Sequence, residues 1–408
     1  MSMSRIVCLS SFLSLFLSVP GLAQPPAAAP AAQHQHPMTP EAGTSTWTFM
    51  QDGVVFGMVN HQGGPSGGDE VKVPNWWMGM LSRNAGKSKL TLTAMLSLDP
   101  ATVGKQGYRE IFQVGEAFEG RPLVDRQHPH DLFMQIAAIW RTPLTSQTGL
   151  TIAGGPAGEP ALGPVAFMHR LSAAENPFAP LGHHTFDSTH IAFGVVTAAV
   201  DHGPWTAEGS VFNGREPDEH RWDFDFGRLD SVSGRVWYKA SHQWEFQVSS
   251  GRLAEPEELE QGNVIRTTAS AAWTKRAGPD FTAVTAAYGV NATDHGRRSA
   301  VLIEGTRHRS GVSLYGRAEG LQSEIADDAP LVGAFTAGAV RELPRVRGTE
   351  GGLGAQVTFY AVPGTLRASH GEHPVSFQVF FRLRLPVGPM GRMWNMRMAQ
   401  PMAGHGMR

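Results

Sequence analysis

The last apolar segment of the chain alternates with period two. Val375, Phe377, Val379, Phe381, Leu383 and Leu385 are apolar, and Ser376, Gln378, Arg382 and Arg384 alternate with them. Successive side chains of a strand point to opposite faces, so this segment offers one face to an apolar medium and one to a polar medium. Its length, about 11 residues, is that of a tilted strand crossing a bilayer. The same alternation recurs in Leu90, Leu92, Ala94, Leu96 and Leu98, interleaved with Thr91, Thr93 and Ser97. It recurs again over Trp244–Ser249, Val312–Glu319 and Leu353–Tyr360.

This pattern predicts strands near 46–60, 74–84, 88–98, 132–142, 148–155, 189–200, 204–213, 229–240, 243–253, 264–275, 280–291, 298–307, 311–321, 331–341, 352–362 and 373–386. That makes about sixteen, within a range of roughly 14 to 18; the segment 132–142 also reads as a short helix. The connections alternate in length. Those at 84–87, 143–147, 201–203, 241–242, 276–279 and 308–310 are short, and those at 61–73, 99–131, 156–188, 214–228, 254–263, 322–330 and 363–372 are longer. The connection 342–351 is long on the short side. Transmembrane barrels have short periplasmic turns and long external loops, whereas a secreted sandwich has no reason to sort its loops this way.

Residues 1–23 read as a secretory signal peptide, with Arg5 ahead of an apolar core and small residues at Gly21-Leu22-Ala23. Residues 24–45 form a Pro/Ala/His leader with nothing to bury, 46–386 the barrel, and 387–408 a Met-rich tail. The single cysteine, Cys8, falls in the signal segment, which leaves no disulfide or thiolate site afterwards. No later apolar run approaches the roughly 18 residues of a membrane helix. The formal charge of −2 gives no electrostatic footprint for nucleic acid.

With these features the chain resembles bacterial outer-membrane β-barrel proteins of the porin-like kind. The resemblance covers residues 46–386 and rests on architecture. The segments GEAFEGRPLVDRQHPHDLF (115–133) and SAAENPFAPLGHHTFDSTHI (172–191) look like fixed features of an uncharacterised barrel family. It implies an all-β antiparallel barrel in a Gram-negative-type outer membrane, with lipid, small solutes and the barrel-assembly machinery as partners and a homo-oligomer as an option. Phe381 is followed by a further tail, a departure from barrels that end on an aromatic residue. Trp76, Trp77, Trp205, Trp237, Trp244 and Trp273 include candidates for an interfacial girdle.

Three groups of residues carry chemistry. Arg235, Lys239, Arg317, Glu208, Glu319, Arg382 and Arg384 fall on the polar faces of strands and line the expected lumen, with Asp125, Arg126 and Asp131 at its mouth. His128, His130, His169, His183, His184 and His190 lie in two long loops on the same side, next to Asp125, Asp131 and Asp187. They serve either as ligands for copper or another transition-metal ion or as a hydrogen-bond network that folds the loops into the lumen. The tails bring His34, His36 and Met38, and Met390, Met393, Met396, Met398, Met402, His405 and Met407, which suit copper or a pore-plugging tail.

The expected function is an outer-membrane channel for small solutes, constricted by loops 99–131 and 156–188. One alternative is a copper-handling barrel that uses the His and Met tails. The other is a barrel hydrolase built on Ser188, His190 and Asp187, although no hydrolase motif supports an enzyme.

Overall fold

The computed structural model describes residues 46–326, 328–386 and 392–399. The signal segment, the leader with His34, His36 and Met38, and Met390, Met402, His405 and Met407 lie outside the described residues. The strands in chain order are β1 (Thr48–Gln62), β2 (Gly68–Lys72), β3 (Asn75–Ala85), β4 (Ser88–Leu96), β5 (Tyr108–Phe118), β6 (Arg121–Gln127), β7 (Phe133–Pro143), β8 (Thr148–Gly158), β9 (Ala192–His202) and β10 (Trp205–Phe212). They continue as β11 (Ser231–Tyr238), β12 (Trp244–Leu253), β13 (Val264–Ala277), β14 (Asp280–Thr293), β15 (Gly296–Arg309), β16 (Val312–Gln322), β17 (Leu331–Glu342), β18 (Glu350–Ala361) and β19 (Val375–Arg384).

Each wall strand pairs antiparallel with its sequence neighbours, and β1 pairs with β19 through Val59↔Val379, which closes a 16-strand barrel. Closure leaves no edge, so every wall backbone group has a partner without water. β2 prolongs the wall at one end: β1 pairs β3 over Thr48–Val55 and β2 over Met58–Gln62. The segment 133–143 is a wall strand and not a helix.

The two faces separate as the alternation requires. In β19, Val375, Phe377, Val379 and Phe381 face outward, while Ser376, Gln378, Phe380, Arg382 and Arg384 are buried inside. Trp205 and Trp244 face outward, and Trp205 stacks on Tyr238 with ring centroids 4.3 Å apart. Trp76 and Trp237 point inward, so they belong to the interior and not to the girdle. Lys239 lies exposed beyond the end of β11 and does not line the lumen.

Loop parity holds with a second exception, the tight turn at Asp294–His295 between β14 and β15 on the long-loop side. Several of the long connections carry structure of their own. Residues 99–131 include a helical turn, Asp99–Thr102, and the hairpin β5–β6. Residues 159–191 are not an outer loop at all. Every residue from Pro160 to Ile191 is buried except Met168 and Ser188, which are half-buried. A solvent loop keeps its backbone in water; this segment runs down inside the barrel and back.

The tail also turns inward. Met393, Arg397 and Met398 are buried, Asn395 N–H donates to the His169 carbonyl at 2.7 Å, and Arg397 lies 3.8 Å over the Trp237 ring. Met393 packs with Met58, Met78, Met80, Met95 and Met134 against Trp76, and Met398 packs beside Leu162 and Phe212. Over residues 392–399 the tail thus packs inside one end of the barrel, with the Met393 and Met398 thioethers in apolar contacts.

The outward face of β19 gives a direct test. Val379 is 54% exposed at mid-strand. Val379→Arg should destabilise the folded protein in bilayers by about 2–4 kcal/mol, read from denaturant unfolding in vesicles. A near-neutral effect would mean that Val379 does not face lipid.

Candidate functional site

The segment 159–191 is tied to the wall by charge. Arg235 on β11 donates to Glu208 Oε2 at 2.6 Å, to Glu159 Oε1 at 2.8 Å and to the Gly163 carbonyl at 3.1 Å. Arg317 on β16 donates to Glu304 Oε2 at 3.0 Å and to the carbonyls of Phe178 and Ala179 at 3.1 and 2.9 Å. Glu319 accepts the Leu181 N–H at 2.7 Å. Arg382 pairs with Glu175, and Arg384 reaches Glu175 at 3.4 Å and bonds the Ala174 carbonyl. Within the segment, Arg170 bridges Glu304 of β15 and Asp187, both at 2.7 Å. The expected lumen residues Arg235, Arg317, Glu319, Arg382 and Arg384 do face inward, but they grip the inserted segment instead of ringing open water.

Among the described residues, two interior cavities beside the inserted segment are small. One cavity of about 50 Å³ lies beside Trp76, His130 and Trp394, and another of about 10 Å³ lies beside Arg317, Glu319 and Thr336. At roughly 10–15 Å³ per water, these hold a handful of waters and one water respectively.

The hairpin β5–β6 covers the long-loop end. Ile111 and Phe112 pack against Leu181, Phe186 and Tyr360, next to wall residues Leu302 and Val332. Asp125 accepts the Phe112 N–H at 2.8 Å and pairs with His370 at 2.9 Å. Arg126 donates to the carbonyls of Gln106 and Gly107 at 2.6 and 3.0 Å. Asp125 and Arg126 thus staple the cover, whereas Asp131 is buried beneath it, 3.3 Å from Arg221.

Five of the six loop histidines meet under this cover. Their ring centroids run in sequence, with His184 to His128 at 5.3 Å, His128 to His183 at 5.7 Å, His183 to His190 at 5.3 Å and His190 to His130 at 5.6 Å. His169 is apart, against Trp76 near the tail. Each of the five presents Nδ1 to an acceptor. His183 faces Asp187 Oδ1 at 2.7 Å, His184 Glu216 Oε1 at 2.9 Å and His130 Asp99 Oδ2 at 2.8 Å. His190 faces the Asp187 carbonyl at 2.8 Å, and His128 faces the Pro129 carbonyl at 3.3 Å with Glu116 Oε1 3.2 Å away. Gly115 permits the assembly: its φ is +148°, and a Cβ there would lie 2.1 Å from His184 Nε2.

The electrostatics divide the cluster. Burial pushes the His128 and His190 imidazoles well below their usual range, and His183 is lowered for the same reason. His184 goes the other way: burial lowers it, but the carboxylates of Glu216, Glu257 and Glu116 together raise it to about 9. Burial would raise Asp187, but Arg170 and His183 hold it well below the usual carboxylate range.

The sequence pattern did not reveal the partners that orient these rings, Asp99, Glu116 and Glu216, which come from two separate connections. Nor did it single out Arg170 or Arg221. The Ser188–His190 pairing does not form. Ser188 Oγ accepts from Arg266 at 2.9 Å, while His190 Nδ1 faces a backbone carbonyl.

Truncating Arg170 to Ala leaves Asp187 and Glu304 without their shared guanidinium. Loss of a buried partner costs about 3–5 kcal/mol. Amide exchange across 163–190 should accelerate about 100-fold or more, with the wall strands unchanged. Equal exchange in both proteins would show that the pair does not hold the segment.

No protein-family model matches the sequence, and no curated protein matches it. Solved structures do. The anion-selective porin from Comamonas acidovorans aligns with TM-score 0.52 and 11% identity over 83% of this chain and 100% of that one. OprB of Pseudomonas putida, in its high-pH structure, aligns with TM-score 0.50 and 8% identity over 83% of this chain and 94% of that one. At such identity the likeness is one of fold, and the chain has the closed antiparallel β-barrel fold of outer-membrane porins.

Proposed function

We propose that this protein is an outer-membrane channel for small hydrophilic solutes that rests closed, with residues 159–191 as its plug. One observation carries this reading: the inserted segment joins the charged residues of the inner wall through side-chain ion pairs and hydrogen bonds and not through a strand ladder. A permanent filling would be served equally well by an apolar interior. Ion pairs exchange for water at modest net cost when a segment moves, because the buried pair itself contributes little beyond what hydration returns. Barrels of this size have room for an aqueous lumen once the plug is displaced. Wall arginines and glutamates of both signs favour neither anions nor cations strongly.

Geometry makes the test practicable. Gly158 and Ala192, at the two ends of the segment, are paired neighbours on β8 and β9. A short Gly/Asn turn can therefore replace 159–191. In planar bilayers the native protein should be nearly silent and the shortened barrel should conduct at least tenfold more, with heat-modifiable mobility confirming that it folds. A folded but silent shortened barrel, or a native protein that conducts freely, would contradict the reading.

A further inference from the structure

The histidine run is more than a spacer between loops. His128, His183 and His190 are each more than nine-tenths buried, and each has an Nε2 atom without a hydrogen-bond partner in the protein. The Nε2 atoms of His130 and His184 are in the same position. Buried polar atoms are rarely left unpaired, and here five of one kind stand together.

Tautomer logic sharpens the point. A ring nitrogen that faces a carboxylate or carbonyl carries the hydrogen, and in a neutral imidazole the other nitrogen is then a bare lone pair. Nδ1 faces Asp187 in His183, the Asp187 carbonyl in His190 and the Pro129 carbonyl in His128. All three rings are thus set to present Nε2 lone pairs to one another's neighbourhood. Imidazole held at one nitrogen by an acceptor and free at the other is the arrangement that metal-ligating histidines adopt.

We propose that His183, together with its flanking rings His128 and His190, binds one transition-metal ion of the Zn²⁺/Cu²⁺ class through Nε2. Two imidazoles on one tetrahedral ion, with metal–nitrogen bonds of about 2.0–2.1 Å, have ring centroids about 5.2 Å apart. The His183 centroid lies 5.7 Å from His128 and 5.3 Å from His190. Each spacing is close to that value, so His183 is the ring that the other two share. An all-nitrogen donor set with carboxylates behind it suits zinc, copper or nickel over the hard oxygen-seeking cations.

A neighbouring group competes for the assignment. Among the described residues, His184, Glu216 and Glu257 have donor atoms within 4.8 Å of one another. There, however, His184 Nδ1 is already bonded to Glu216, so the group is an ion pair with a second carboxylate nearby. The neutral run centred on His183 is the better ligand set. The ion would join His128, next to the hairpin cover, to His183 and His190 of the inserted segment, and so fasten the plug to its lid.

The test uses the full chain purified without a histidine tag, stripped with chelator and titrated with Co²⁺ as an optical probe, then with Zn²⁺ in competition. One equivalent should bind below about 1 µM, a free energy of roughly −8 kcal/mol, with the visible absorption of a tetrahedral nitrogen site. His183→Gln should weaken binding by at least 100-fold, and His190→Gln, a second variant in case the first does not fold, should also weaken it. Failure of the native protein to bind either ion would overturn the assignment. So would undiminished binding in the folded variants, which would place the metal elsewhere.

Discussion

A guanidinium shut away from water must find acceptors within reach, and the interior of this barrel is organised around that requirement. Arg170, Arg221, Arg235, Arg266 and Arg382 are the largest of its fully buried side chains. Four of the five take their acceptors across a junction between the wall and an inserted element: Arg170 from Glu304, Arg235 from Glu159, Arg266 from Ser188 and Arg382 from Glu175. Arg221 joins the hairpin cover instead, through Glu116 and Asp131. Leaving one such charge unpaired costs several kcal/mol. The wall therefore constrains the sequence of the plug, and the plug constrains the wall.

The wall was legible in the sequence because lipid on one side and polar groups on the other impose period two on every strand. All sixteen expected strands are present, including 132–142, where the run of small residues Ala137-Ala138 blurs the alternation. The hairpin β5–β6 escaped for a physical reason. Phe112, Gly115 and Glu116 have positive φ, and the pairing shifts register between Arg109 and Val114 and again before Ala117. Each irregularity rotates the side chains and erases the alternation on which strand detection depends.

The inserted segment was hidden differently. Its four Pro and four His read as the punctuation and polarity of a surface loop, and only the closed wall around it determines that it is buried. The histidines were legible as residue types but not as a cluster. His128 and His183 come from different connections, and the acceptors that orient them, Glu116 and Asp187, are recognisable only once the loops are folded together. His169 shares the composition signal and lies elsewhere, which shows how little spacing alone could decide. The Met-rich tail was read as a metal collector or a plug; over residues 392–399 its methionines pack as gap-fillers against Trp76 and Leu162.

The wall, the cover, the plug and the tail thus form one polar-laced interior inside an apolar shell. A lumen filled at rest can be measured without any assumption about solutes. The only cysteine in the sequence is Cys8. Thr336 lines the small cavity beside Arg317 and is 5% exposed. A Thr336→Cys protein should resist a small charged thiol reagent for as long as the barrel is folded and react once it is denatured. Rapid labelling of the folded protein would show an open, watered lumen and contradict the account.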